Sequence, residues 1–201
     1  MIRGLVLIHG RGGSGRDMRG LIGPLGAEGM EIATPEAPGN SWWPTSFLAP
    51  AAQMAGPLDA GLAAVDEAAR SLGLPRDAVA LVGFSQGACL ALEYAARRGA
   101  GLGAVIALSG GLVGQGDEGD PTDALYGHCD KAFDYDADLT GLRALITCHE
   151  ADPHIPLARA ITSEAVLDRL GATARLIMHP GPGHQPMQDG IVAAREILHA
   201  A

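Results

Sequence analysis

The stretch that decides the fold is Ala78-Val79-Ala80-Leu81-Val82-Gly83-Phe84-Ser85-Gln86-Gly87, followed by Ala88-Cys89-Leu90-Ala91-Leu92-Glu93-Tyr94-Ala95-Ala96-Arg97. A continuous apolar run reads as a buried strand, and the segment after it has helical character, so G-x-S-x-G stands between a strand and a helix. In that context the pentapeptide is a nucleophile elbow. Its glycines permit a strained turn without Cβ clashes, and the turn lifts the serine hydroxyl clear of the sheet. The helix behind it points its positive end at charge developing on a substrate oxygen. The pentapeptide alone would carry little weight in a chain with 29 glycines; its flanks give it meaning.

Outward from the elbow, apolar runs alternate with segments of helical period. Leu5-Val6-Leu7-Ile8, Glu31-Ile32-Ala33, Ala104 to Leu108, Ala144 to Cys148 and Ala174 to Met178 read as strands. Pro57 to Leu72 carries Leu58, Leu62, Val65, Ala69 and Leu72 at helical spacing, and Ala158 to Leu170 and Gly190 to Ala200 read as further helices. Strands apolar throughout and separated by helices imply a mostly parallel sheet covered on both faces, an α/β three-layer arrangement. The 201 residues are expected to form one domain, residues 1–201, with 47% hydrophobic residues to fill its core. No internal repeat or linker interrupts them.

Composition excludes several function classes. A net charge of −9 gives no basic footprint for nucleic acid or an anionic membrane surface. No apolar stretch approaches the roughly 20 residues of a membrane helix, and no leader precedes the first strand, so a cytoplasmic location is expected. Cys89, Cys129 and Cys148 are odd in number and lack metal-ligand spacing, which argues against disulfides and a zinc site. No metal or cofactor is expected.

Three loops break the regularity: His9 to Gly15, Pro35 to Met54, and a Gly- and Asp-rich span from Gly110 to Gly141. The first two begin where strand carboxyl ends should point, which is where open α/β sheets bind ligands. A phosphate cradle in the first loop would need a Lys-Ser/Thr pair, but the only lysine is Lys131. His-Gly-x-Gly after a first strand instead suits an oxyanion loop, with the Arg11 and Gln86 N–H groups as the two donors.

A nucleophilic serine needs a base, and the base needs an acid to hold its tautomer, in the chain order Ser, Asp, His for this kind of elbow. Asp152 lies just past a strand, before a proline that forces a turn. His184 lies past the last strand in Pro180-Gly181-Pro182-Gly183-His184, a loop able to reach Ser85. Rivals stand beside them: His179 nearer the strand end, His149 nearer the acid, and Asp134, Asp136 and Asp138. His9, His128, His149, His154, His179 and His199 otherwise read as structural or solvent-facing. Trp42, Trp43 and Phe47 sit in a loop on the active-site side, and Trp42 is expected to line an apolar acyl pocket; the alternative is that these rings anchor the loop on the core.

Leu7-Ile8-His9-Gly10-Arg11-Gly12, Asn40-Ser41-Trp42-Trp43-Pro44, Gly83-Phe84-Ser85-Gln86-Gly87, Ser109-Gly110-Gly111, Asp152-Pro153-His154-Ile155-Pro156 and Pro182-Gly183-His184 together resemble the phospholipase/carboxylesterase family of α/β-hydrolases, which includes acyl-protein thioesterases and small bacterial esterases. The resemblance runs over nearly the whole chain. It implies the α/β-hydrolase fold without a large cap domain, Ser85 as nucleophile, Asp152 as acid, His184 as base, and Arg11 and Gln86 as oxyanion donors. A small-molecule ester or thioester is the implied substrate and a homodimer the implied assembly; short to medium acyl chains are expected because the chain's length leaves no room for a large cap, so the site should be shallow. Two departures accompany the resemblance. The family's leading strands are short or absent here, leaving a sheet edge exposed or paired with another copy. The span Gly116 to Leu139 is long, and reads as a lid, a dimer contact or a solvated excursion. Two other readings stand beside the esterase: a hydrolase of aromatic ring-cleavage pathways, some of which use a cysteine where this chain has Ser85, and a non-catalytic binding module on the same scaffold.

Overall fold

All six strands run parallel, in the order β2-β1-β3-β4-β5-β6, in a computed structural model that describes residues 1–115 and 131–200. They are β1 (Gly4–Ile8), β2 (Glu31–Ala33), β3 (Val79–Phe84), β4 (Ala104–Leu108), β5 (Arg143–Ala151) and β6 (Thr173–Pro182). The helices are α1 (Gly15–Arg19), α2 (Ile22–Leu25), α3 (Ala51–Ser71), α4 (Gln86–Arg98), α5 (Leu157–Arg169) and α6 (Gln188–His199). The apolar strand runs bury side chains on both faces. Val6, Ile8, Leu81, Val105 and Ile146 pack with α3, α4 and α5, whereas Leu5, Leu7, Val82, Ile106 and Leu145 pack with α1, α2 and α6. This is the α/β-hydrolase arrangement, and no large cap is inserted among the described residues.

Strand β3 sits inside the sheet between β1 and β4, so the elbow lies at its middle. On one side the sheet ends with the three-residue β2, and on the other with β6. The third loop also leaves from a strand carboxyl end, that of β4, because every strand points the same way; the sequence had placed only the first two loops there. Of the long span 116–139, residues 116–130 lie outside the described residues, and with them Tyr126, His128 and Cys129. Residues 131–139 pack against α4 and α5. Phe133 lies under the Arg159 guanidinium of α5, 5.4 Å from it, and the Tyr135 hydroxyl bonds Glu93 of α4 at 2.9 Å.

Helix α3 starts at Ala51, six residues before the start that Pro57 suggested, and Pro57 lies inside it. Proline suits a first helical turn, where its missing N–H costs nothing, and that made it look like the start. Helices α1 and α2 have five and four residues, too short to show a period in sequence. Among the described residues no helix is long and apolar enough to cross a membrane.

Candidate active site

Ser85 takes φ 53° and ψ −119°, a positive φ for a residue with a Cβ. Such a conformation costs energy, and persists only where the surroundings over-determine it. Two glycines do this. A Cβ on Gly83 would stand 2.2 Å from the Gly87 carbonyl oxygen, and one on Gly87 would stand 2.2 Å from that of Ile8. Only residues lacking a side chain let β1, β3 and α4 approach this closely. The Ser85 amide donates to the Leu108 carbonyl at 2.9 Å, and the Ser85 carbonyl accepts the first bond of α4 from Cys89 at 3.0 Å.

Sequence positions 85, 152 and 184 meet at the carboxyl ends of β3, β5 and β6. His184 Nε2 lies 2.8 Å from Ser85 Oγ, and His184 Nδ1 lies 2.8 Å from Asp152 Oδ2 and 3.0 Å from Oδ1. An ionised carboxylate only accepts, so Nδ1 carries the proton, and Nε2 is left to accept from the serine hydroxyl. The Asp152 side chain is fully buried. Burial pushes its carboxyl up, but the His184 bond and the His154 and Ile155 amides outweigh this and hold it below the usual carboxylate range. Those two amides donate to Oδ1 at 2.8 and 3.0 Å, in the turn that Pro153 helps to set.

Strand β5 runs through Ala151, past the Cys148 end read from sequence, with a register shift between His149 and Ala151. Asp152 therefore follows the strand immediately. Strand β6 runs to Pro182, so His184 is two residues beyond its end. The rivals fall elsewhere. His149 and His179 are buried, Asp134, Asp136 and Asp138 lie in the 131–139 segment, and none of these five lines the cavity beside Ser85. His154, read as structural or solvent-facing, does line it, its ring edge-on to His184 at 4.8 Å between centroids.

The loop after β1 passes directly against the nucleophile: a Cβ on Gly10 would stand 3.2 Å from Ser85 Cβ. Ala37 N–H donates to His9 Nε2 at 3.0 Å, so His9 Nδ1 bears the proton and donates to the Gly10 carbonyl at 2.8 Å. Gly12 donates to Asn40 and Gly13 to Gly10, while the amides of Arg11 and Gln86 have no partner among the described residues. Both residues line the cavity beside Ser85, and Gln86 is the first residue of α4, where the helix dipole adds its field.

Trp42 is placed differently from the sequence expectation. It is buried, its indole N–H donates to the His9 carbonyl at 2.8 Å, and its ring lies against that of His9, 5.0 Å away. It anchors the loop and does not line the cavity; its neighbour Trp43 does. The Gln86 side chain fixes both: Oε1 accepts from the Trp42 amide at 3.0 Å, and Nε2 donates to the Trp43 carbonyl at 2.9 Å. The Arg11 guanidinium adds a second tie, donating to the carbonyls of Pro44, at 3.0 Å, and Thr45. Sequence reasoning assigned Gln86 and Arg11 through their amides alone, and no local pattern announces these side-chain bonds across more than thirty residues.

The cavity beside Ser85 has a volume of about 540 Å³, and its apolar wall is formed by Trp43, Phe47, Phe84, Cys89 and Ile155. Cys89 lies one helical turn after Ser85, and burial pushes its thiol up to about 12, so it stays protonated. Among the described residues no group of His, Cys, Asp and Glu could hold a metal ion.

A model of the phospholipase/carboxylesterase family matches residues 61–201. A solved phospholipase/carboxylesterase from Dyadobacter fermentans is 34% identical to this chain, covering 98% of it and 89% of its own length with a TM-score of 0.83. Esterase PE8 is similar at 28% identity over 98% of this chain and 92% of its own, with a TM-score of 0.72. SOBER1 of Arabidopsis thaliana, at 16% identity over 98% of both chains and a TM-score of 0.70, shares the fold. A comparison with curated proteins gives no match. With a family model over more than half its length and a relative above 30% identity over nearly all of it, the chain belongs to the phospholipase/carboxylesterase family of hydrolases.

Proposed function

We propose that the chain is a serine esterase in which Ser85, His184 and Asp152 form the catalytic triad, acting on esters or thioesters of short to medium acyl chains. The observation that carries this reading is the His184 ring bonded on both nitrogens, at 2.8 Å to Ser85 and 2.8 Å to Asp152. Ser85 Oγ attacks the substrate carbonyl as its proton passes to His184 Nε2, and buried Asp152 stabilises the imidazolium that forms. The Arg11 and Gln86 amides donate to the tetrahedral oxyanion; one such donor is typically worth roughly 100- to 1000-fold in rate. His184 then protonates the leaving alcohol or thiol, and water repeats the cycle on the acyl-enzyme.

The cavity sets the acyl preference. A volume of about 540 Å³ with walls of Trp43, Phe47, Phe84 and Ile155 suits a modest apolar chain. Three side chains hydrogen-bonded in working order also favour an enzyme over a binding module. The test is a ladder of p-nitrophenyl esters from acetate to palmitate, with Ser85→Ala as control. Rates should peak at short to medium chains and vanish in the variant. Rates rising steadily to palmitate would refute the acyl preference, and turnover surviving in Ser85→Ala would refute the triad.

A further inference from the structure

His149 and His179 are neighbours across β5 and β6, in register, with rings 5.1 Å apart and each about 2% exposed or less. Alternation along β5 puts Thr147 and His149 on the face of α6, where Thr147 meets Gly190. His179 faces the same helix, its Nδ1 3.3 Å from Asp189 Oδ1 near the start of α6. Burying an imidazole is costly unless its nitrogens are hydrogen-bonded, yet His149 Nδ1 and His179 Nε2 are buried without a hydrogen-bond partner among the described residues.

The His149 ring touches the chain on either side of His184. A Cβ on Gly183 would stand 2.5 Å from His149 Cε1, so the backbone before His184 lies directly on the ring. After His184, the Gln185 carbonyl lies 3.2 Å from His149 Nε2. A carbonyl only accepts, so Nε2 carries the proton. The segment bearing the general base is thus packed and hydrogen-bonded by one buried side chain, which is itself backed by His179 and, through it, Asp189. Residues 183–187 belong to no helix, so the imidazole of His184 depends on such support for its alignment.

We propose that His149 is a positioning residue for His184, holding its loop so that Nε2 meets Ser85 and Nδ1 meets Asp152. This rests on the esterase reading above. His149→Phe keeps a ring under Gly183 and removes the donor. It should lower kcat for p-nitrophenyl acetate about tenfold, the usual worth of one hydrogen bond, with KM within twofold. His149→Gln, whose Nε2 can donate from nearly the same place, should recover most of that loss. In proton NMR, the low-field Nδ1 resonance of His184 bonded to Asp152 should broaden or shift in His149→Phe and return in His149→Gln. If His149→Phe does not fold, Gly183→Ala replaces it, since its Cβ must displace the same loop, and the same loss of kcat and of the resonance is expected.

Wild-type kcat in the variants with an unmoved resonance would overturn the proposal, as would a glutamine variant as impaired as phenylalanine. The NMR arm needs no turnover. A wild type that shows the resonance yet hydrolyses no ester would therefore defeat the esterase reading separately.

Discussion

Replacing Asp152 by asparagine is the sharpest perturbation the geometry offers, because the hydrogen bonds dictate how the new amide must sit. Oδ1 accepts the His154 and Ile155 amides at 2.8 and 3.0 Å, so the carbonyl oxygen of the introduced side chain would have to stay there to satisfy them. The NH₂ group then takes the place of Oδ2, 2.8 Å from His184 Nδ1, where it can only donate. Nδ1–H then has only Oδ1 to accept it, 3.0 Å away and already shared by two amides, so the tautomer with Nδ1 unprotonated toward the NH₂ and the proton on Nε2, facing Ser85, is favoured. A base with its proton on the wrong nitrogen cannot accept one from the hydroxyl. The expected loss is about 10⁴-fold in kcat, or about 5 kcal/mol of transition-state stabilisation, with KM nearly unchanged. The assay is steady-state hydrolysis of p-nitrophenyl acetate by Asp152→Asn against wild type. A loss under tenfold would refute the tautomer argument.

Stability should follow pH through the same residue. Its folded carboxyl lies below the ordinary range, because the His184 bond and two amides outweigh the burial that pushes it up. The charge therefore stabilises the native state above the unfolded carboxyl pKa of about 4, and this contribution is lost as pH falls through the folded value. Asp152→Asn should lower Tm at pH 7, with the gap from wild type closing as pH falls well below about 4. A gap unchanged at acid pH would contradict this assignment. Glu93 is fully buried and accepts from Arg97 at 2.7 Å, Lys131 at 2.9 Å, Tyr135 at 2.9 Å and the Val113 amide at 3.0 Å. Glu93→Ala leaves these donors without their acceptor and should cost about 3–5 kcal/mol, read as a fall in urea midpoint; a loss below about 1 kcal/mol would contradict it. Burial pushes the thiols of Cys89 and Cys148 each up to about 12, so iodoacetamide at pH 8 should leave both unmodified in the native protein and label both after denaturation. Rapid native alkylation of Cys89, by peptide mapping, would show a thiolate that this burial forbids.

Much of the fold was legible because the sheet is parallel and buried on both faces. Strand β4 coincides with its apolar run, Ala104 to Leu108, since nothing polar interrupts it inside the sheet. The exposed edge β6 runs to Pro182, four residues past Met178, because an edge strand need not stay apolar. Helix α1 left one readable signal, the capping box in which Ser14 and Asp17 bond reciprocally, in a segment otherwise too short for a period. The candidate triad was legible through motif and chain order. The choice between Trp42 and Trp43 was not, since adjacent aromatics differ only in which way the backbone turns them, and that turn is set by Gln86 and His9. His149 was hidden for a related reason: its role depends on Gly183 and Gln185, more than thirty residues away.

Covalent labelling tests the central claim most directly. A fluorophosphonate probe, followed by intact-mass and tryptic mass spectrometry, should add one phosphonyl group per chain, on Ser85, and none to Ser85→Ala. A folded protein that takes up no probe, or takes it up on a residue other than Ser85, would contradict the account.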